Sequence, residues 1–306
     1  MELGVMACYC TQNNISQNKF LFFIPPRNVW FMELCLLHAN CQGGPLARLL
    51  ALSPDFAARW SVRHVINYTR EPVPEDALRG CTLFLYQPLG AHWGELASER
   101  LLARLNPGAA VLRLPDLFFK GYWPLWTNAS TMHFGDIYLD YLTDMGLELA
   151  EIIHLYMRDN LDAIYDLDGL AAESQARQRE RERGCVVELA DYVEAHWKDA
   201  QLFASVNHPS PELLRRVADA VLTALGLPPL AADAAERGGD GLVCDAQFEL
   251  PVHPAVGRHF GLSFVGPERR YPVYGKQLTF RQYALCYADC RRRGLNFQEY
   301  LAAVKL

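Results

Sequence analysis

Short apolar runs separated by helical patterns dominate the chain from Met32 to about Phe119. Leu34–Ala39 is apolar without alternation, which suits a strand covered on both faces. The pattern then predicts a helix over Leu46–Leu52, strands over Val62–Tyr68 and Thr82–Tyr86, a helix from about Trp93 to Leu105, and a strand over Ala109–Leu114. Asn106-Pro107-Gly108 and Pro115-Asp116 bracket the last strand. Strands alternating with helices imply a parallel sheet with crossover helices, so Cys41, Thr69, Gln87 and Asp116 fall at one carboxyl edge.

The second half changes period. After the aromatic loop Phe118–Trp126, helical spacing runs through Ile137–Met145, Leu147–Asn160, Leu170–Arg183, Val187–His196 and Pro211–Ala224, and the tail from Tyr271 to Leu306 reads as mostly helical. The alternating charges of Arg177–Arg183 have no apolar stripe and read as a solvated helix surface. Arg237–Gly241 reads as an exposed loop. The fold class is therefore α/β: an N-terminal parallel sheet with crossover helices over 32–127, and a mostly helical part over 128–306, in one domain.

Residues 1–31 are set apart. Thr11–Lys19 is polar and rich in Asn and Gln, and the apolar run Phe20–Ile24 stops at Pro25-Pro26. It is too short to span a membrane and lacks a cleavage motif, so 1–31 is expected to be a disordered extension upstream of Met32.

Composition narrows the class. The chain has 306 residues, 51% hydrophobic and 21% charged, which describes a globular protein with a substantial core. A net charge of −6 provides no field to gather phosphates, which argues against nucleic acid. Nine scattered cysteines suit reduced thiols in a cytoplasm, and neither Cys8-x-Cys10 nor Cys286-x3-Cys290 has zinc spacing, so no metal is expected.

Two turns carry candidate chemistry. In Asn40-Cys41-Gln42-Gly43-Gly44-Pro45 a thiol sits between a strand end and a helix start, where amide N–H groups and the helix dipole favour a thiolate and supply oxyanion donors. A buried structural cysteine is the equal alternative. In Ser205-Val206-Asn207-His208-Pro209-Ser210-Pro211 a histidine is held between rigid flanks, and imidazole titrates near neutrality, so it suits a proton acceptor. His38, inside the first strand, reads as a satisfied core residue.

These two turns, with the opening strand and the helical second half, resemble the family of polysaccharide-biosynthesis acetyltransferases typified by the capsule protein WcbI. The resemblance covers most of the chain from Met32 onward. It implies coenzyme A or acetyl-CoA as substrate, acyl transfer to a sugar hydroxyl of a bacterial surface polysaccharide, and kinship with SGNH hydrolases. It departs from the SGNH pattern in Cys41, where a serine is usual, and in Ser205, where an aspartate is usual.

Acyl transfer needs a base, oxyanion donors and a cationic cleft for the phosphates of coenzyme A. The candidates are Cys41 as nucleophile or as a wall beside the pantetheine thiol, and His208 as base. Backbone amides of Gln42 and Gly43 with side chains of Asn40, Gln87 or Asn207 are the expected oxyanion and substrate contacts. Arg48, Arg70 and Lys120, with Tyr122 and Trp123, are expected at the cofactor, Arg269 and Arg270 lying further off, and Asp116 or Asp136 is the candidate acid behind His208. An esterase or thioesterase on the same scaffold and a non-catalytic glycan-assembly scaffold are the rivals; a homo-oligomer is left open. The first turn lacks G-x-G-x-x-G spacing, which disfavours a dinucleotide-binding oxidoreductase.

Overall fold

The computed structural model describes residues 32–158, 160–233 and 239–304, so the expectation for 1–31 lies outside the described residues. The sheet has the order β2-β1-β3-β4, built from β1 (Glu33–Ala39), β2 (Trp60–Ile66), β3 (Cys81–Tyr86) and β4 (Ala110–Arg113), and every pair in it is parallel. This is the flavodoxin-like order, whose direction of winding reverses between β1 and β3. The loop after β1 thus opens at the topological switch point.

The uninterrupted apolar run of β1 has its reason in two cores. Cys35, Leu37 and Ala39 face one cluster, and Leu36 faces the other. Helix α1 (Gly43–Ala51) lies on the first face with α2 (Pro54–Arg59), and α3 (Glu75–Gly80) and α4 (Ser98–Leu102) lie on the second. The helix expected over Trp93–Leu105 is instead a 3-10 turn, Ala91–Leu96, and then α4. Gly94 at φ 60 breaks it.

Beyond the sheet come the ribbon β5 (Trp126–Thr127) and β6 (Gly135–Asp136), then α5 (Ile137–Asp144), α6 (Leu149–Tyr156), α7 (Leu161–Ile164), α8 (Leu167–Glu182) and α9 (Ala190–His196). A ribbon of β7 (Phe203–Ser205) and β8 (His208–Pro209) leads into α10 (Pro211–Ala224), whose N-cap Ser210 accepts from the Leu213 amide and whose first residue is Pro211. Leu213, Val217 and Val221 of α10 join Leu46 and Leu49 of α1 in one core.

The tail departs from expectation. After α11 (Pro254–Phe260), the chain forms a hairpin of β9 (Arg270–Val273) and β10 (Lys276–Thr279) before α12 (Phe280–Arg293) and α13 (Phe297–Ala303). Tyr274 and Gly275, at φ 46 and 81, make the turn. Two consecutive left-handed residues match the right-handed twist of the strands they join.

The reading of α8 as a solvated surface also needs correction. Ser174, Gln178 and Glu182 recur along one buried stripe, and each is spent on backbone. Ser174 accepts from the Lys120 amide, Gln178 from the Phe118 amide, and Glu182 from the amides of Leu189 and Ala190. The stripe is polar because it fastens loops rather than filling a core. Of the loop Arg237–Gly241, the described part begins the 3-10 turn Gly239–Leu242.

Candidate functional site

The turn after β1 is wound on its own side chain. Asn40 Oδ1 accepts from the Gln42 amide at 2.9 Å, the Asn40 carbonyl accepts from the Gly43 amide at 3.0 Å, and Asn40 Nδ2 donates to Asp116 at 2.9 Å. Gly43 must be glycine here, because a Cβ would stand 2.3 Å from Nε2 of His64, which bonds the Ala39 carbonyl.

Gln42 and Gln87 are both buried and form the bracket beneath the turn. Gln87 Oε1 accepts from the Asn40 amide at 2.8 Å, and its Nε2 donates to Gln42 Oε1 and to the Pro115 carbonyl. Gln42 Nε2 donates to the carbonyls of Leu117 at 2.8 Å and Asn207 at 3.0 Å. The loops after β1, β3 and β4 and the β7–β8 turn are thereby held in one hydrogen-bonded unit, which delivers the second candidate turn to the sheet edge.

There the residues on either side of the gap converge. Asn207 Nδ2 donates to the Cys41 sulfur at 3.8 Å, and Cys244 and His208 are near enough to act on the acidity of its thiol. Ser205 donates to Asn207 Oδ1 at 3.2 Å and so turns the amide NH2 toward the sulfur. The thiol of Cys41 is lowered to about 5: donation from Cys244 is the largest cause, and the hydrogen bond and charge of His208 add to it, against the opposing effect of burial. Cys244, the donor, is correspondingly pushed up. Burial drives the other way at Cys185 and Cys286, both raised to about 11. Among the described residues one thiol is thus singled out as a thiolate near neutral pH.

No carboxylate orients His208: its Nδ1 is buried and has no hydrogen-bond partner among the described residues. Asp116 is committed to Asn40, its carboxyl raised chiefly by burial while Arg181 opposes, and Asp136 caps α5 by accepting from the amides of Tyr138 and Leu139. The amides of Gln42 and Gly43 and the Gln87 side chain are occupied within the bracket, so the polar donor aimed at Cys41 is Asn207.

Of the residues expected at a cofactor, the structure brings Arg70 to this edge. It ends the turn after β2 with its guanidinium 4.7 Å above Trp93, and the two line a cleft of about 370 Å³ with Arg104. Tyr68, exposed in the same turn, is raised by burial and then by the charge of Cys41. Arg48 donates instead to the Gly241 carbonyl, strapping the segment before Cys244 to α1. Lys120 lies over Trp126 and is lowered by burial. Tyr122 and Trp123 are not at the edge. Tyr122 is fully buried, its hydroxyl donating to the carbonyls of Trp197 and Ala200, and the Trp123 indole donates to Leu250 and Pro251. Arg269 pairs with Glu249, and Arg270 bonds the Gln277 carbonyl.

His38 is buried as expected but not satisfied, since neither ring nitrogen has a partner among the described residues. Burial, with the charge of His64 second, lowers it to about 4. Among the described residues there is no group of three or more His, Cys, Asp or Glu side chains that could hold a metal ion, and no helix long and apolar enough to cross a membrane.

Fold and turn together define an α/β protein of the kind that binds its ligands at the carboxyl edge of a parallel sheet. A family model described as the polysaccharide biosynthesis enzyme WcbI matches residues 34–230. The chain belongs to this family of polysaccharide biosynthesis enzymes. It is also similar to a solved structure of WcbI, described as a novel polysaccharide biosynthesis enzyme, with a TM-score of 0.71 at 19% identity over 89% of this chain and 96% of that one. That structure is further described as the native protein without a disulfide bond between coenzyme A and a cysteine. A search of curated proteins gives no match.

Proposed function

We propose that the protein transfers an acyl group, acetyl in the simplest case, from coenzyme A to a sugar hydroxyl in the assembly of a surface polysaccharide. The observation that carries this reading is the lowered thiol of Cys41 between His208, Cys244 and the Asn207 amide at the switch point. The description of the WcbI structure, a native protein without a disulfide bond between coenzyme A and a cysteine, names coenzyme A together with a cysteine and so supports the reading.

The Cys41 thiolate attacks the thioester carbonyl, the carbon–sulfur bond to coenzyme A breaks, and the acyl group remains on Cys41. Exchange of one thioester for another is nearly isoenergetic, so little driving force is needed. The departing coenzyme A thiolate takes its proton from the His208 imidazolium, whose charge had held Cys41 as a thiolate, and this leaves the imidazole ready to act as base. A sugar hydroxyl then attacks the acyl-cysteine, its proton passes to the His208 imidazole, and the Cys41 thiolate is restored. Asn207 Nδ2 is the donor to the tetrahedral oxyanion. Arg70 is the group suited to the phosphates, since Arg104 beside it is paired with Glu75, and the Trp93 face is suited to the adenine.

Calorimetric titration with coenzyme A tests the binding half: saturable binding is expected, and its absence in folded protein would overturn the reading. Intact mass after quenching with acetyl-CoA tests the covalent half. One acetyl group is expected on the wild type and none on Cys41→Ala.

A further inference from the structure

A second cleft opens beside His208, and we propose that it binds the acceptor as a neutral pyranose ring. This inference rests on the acyl-transfer reading above and assigns the place of its second substrate.

The cleft encloses about 500 Å³, within the range of small-molecule sites. It adjoins the reacting groups through Phe134, whose ring meets His208 edge-on at 6.4 Å between centroids. Phe134 stacks on Phe248 at 4.6 Å and Phe248 on Tyr274 at 4.9 Å, so an aromatic wall runs outward from the imidazole. Opposite polarity lines the floor. The hydroxyls of Ser130 and Tyr287 share a hydrogen bond of 3.2 Å, and Tyr287 donates onward to Asp140 at 2.7 Å. Asn128 and Gln298 stand at the rim.

Charge decides between ligand classes. Among the described residues no Lys, Arg, Asp or Glu lines this cleft, whereas the cleft at Trp93 carries Arg70, Arg104 and Glu95, with Arg104 paired to Glu75 and Glu95 to Arg100. A charged ligand therefore has Arg70 as its partner in the cleft at Trp93, and a ligand with hydroxyls and apolar C–H faces has its partners in this one. A pyranose has both features: its C–H face lies on an aromatic ring while its hydroxyls meet amide and hydroxyl groups.

The backbone of Tyr274 supports the assignment. A bulky residue at φ 46 is strained by about 1–3 kcal/mol, and glycine would relieve it. What the tyrosine provides in exchange is its ring against Phe248 in the cleft wall. A hydroxyl held here gives its proton to His208 as its oxygen bonds the acyl carbon, and the carbon–sulfur bond to Cys41 breaks.

The test uses saturation-transfer NMR of the whole chain with the methyl α-glycosides of glucose, galactose, mannose and N-acetylglucosamine, paired with coenzyme A titration. The wild type is expected to bind at least one glycoside. Tyr274→Gly, which removes the ring and relaxes the turn, and Gln298→Trp, which fills the rim, are each expected to weaken that binding by about tenfold while the coenzyme A titration holds. No transfer to any glycoside, or transfer unchanged in both variants, would overturn the assignment. Loss of coenzyme A binding in Gln298→Trp would overturn it too, by placing coenzyme A in this cleft. A wild type that binds glycoside but not coenzyme A would count against the acyl-transfer reading and leave the cleft standing.

Discussion

The Gln42 side chain donates to the carbonyl of Asn207 at 3.0 Å, so the residue after the thiol holds the residue before the imidazole. Cys41 and His208 are far apart in the chain, and this bond joins their turns directly. Gln42→Leu would strand the carbonyls of Leu117 and Asn207 at a cost of about 1–3 kcal/mol each. The expected outcome is a melting temperature lower by about 2–4 °C per kcal/mol, read by calorimetry, with slower acylation of Cys41.

The acidity of Cys41 is measurable by alkylation. Its rate with iodoacetamide is expected to stay level from neutral pH downward and to fall by half near pH 5, where the thiolate is lost as it takes up its proton. Cys244→Ala removes the largest cause of the shift and should move the midpoint up by about one unit or more. A midpoint unchanged by that substitution would refute the role given to Cys244.

Gly43→Ala tests the packing under the turn. The new methyl group would meet His64 Nε2 at 2.3 Å and push it from the Ala39 carbonyl, an overpacking worth about 1–3 kcal/mol. Urea unfolding should show the lower midpoint, and Gly44→Ala, which meets no atom within 4 Å, should not.

His38 makes a prediction with a definite sign. Its folded value is about 4 against an ordinary 6.5, so between these values the unfolded chain binds the extra proton and stability falls as pH falls. His38→Leu removes both the proton and two unpaired ring nitrogens. The variant should match or exceed the wild type at pH 7.5, and its advantage should grow toward pH 5 and level off below about 4. Thermal unfolding across that range is the measurement.

The sheet was legible because β1, β3 and β4 are largely apolar runs and β2 carries Val62, Val65 and Ile66, each strand followed closely by Pro or Asn, and the register then brought Cys41, Gln87 and Asp116 to one edge. The inner stripe of α8 was not, since Ser174, Gln178 and Glu182 bind backbone and give no hydropathy contrast. The hairpin of β9 and β10 was hidden by Tyr274, an unusual residue for a left-handed turn, although Gly275 beside it was a usable signal. Cys244 had no local signal at all: its meaning lies in a contact with a residue far away in the chain. Tyr122 and Trp123 show the converse, residues whose aromatic character suited a ligand and whose polar tips were instead claimed by carbonyls of the core.

That contact at Cys244 has a consequence for how this site can change. The acidity of the Cys41 thiol responds most strongly to Cys244, whose stretch is tied to α1 by the bond from Arg48 to the Gly241 carbonyl. Reactivity and folding are thereby under separate control. Altering one surface loop retunes the thiol across the neutral range while the strands, the bracket of glutamines and the imidazole stay as they are.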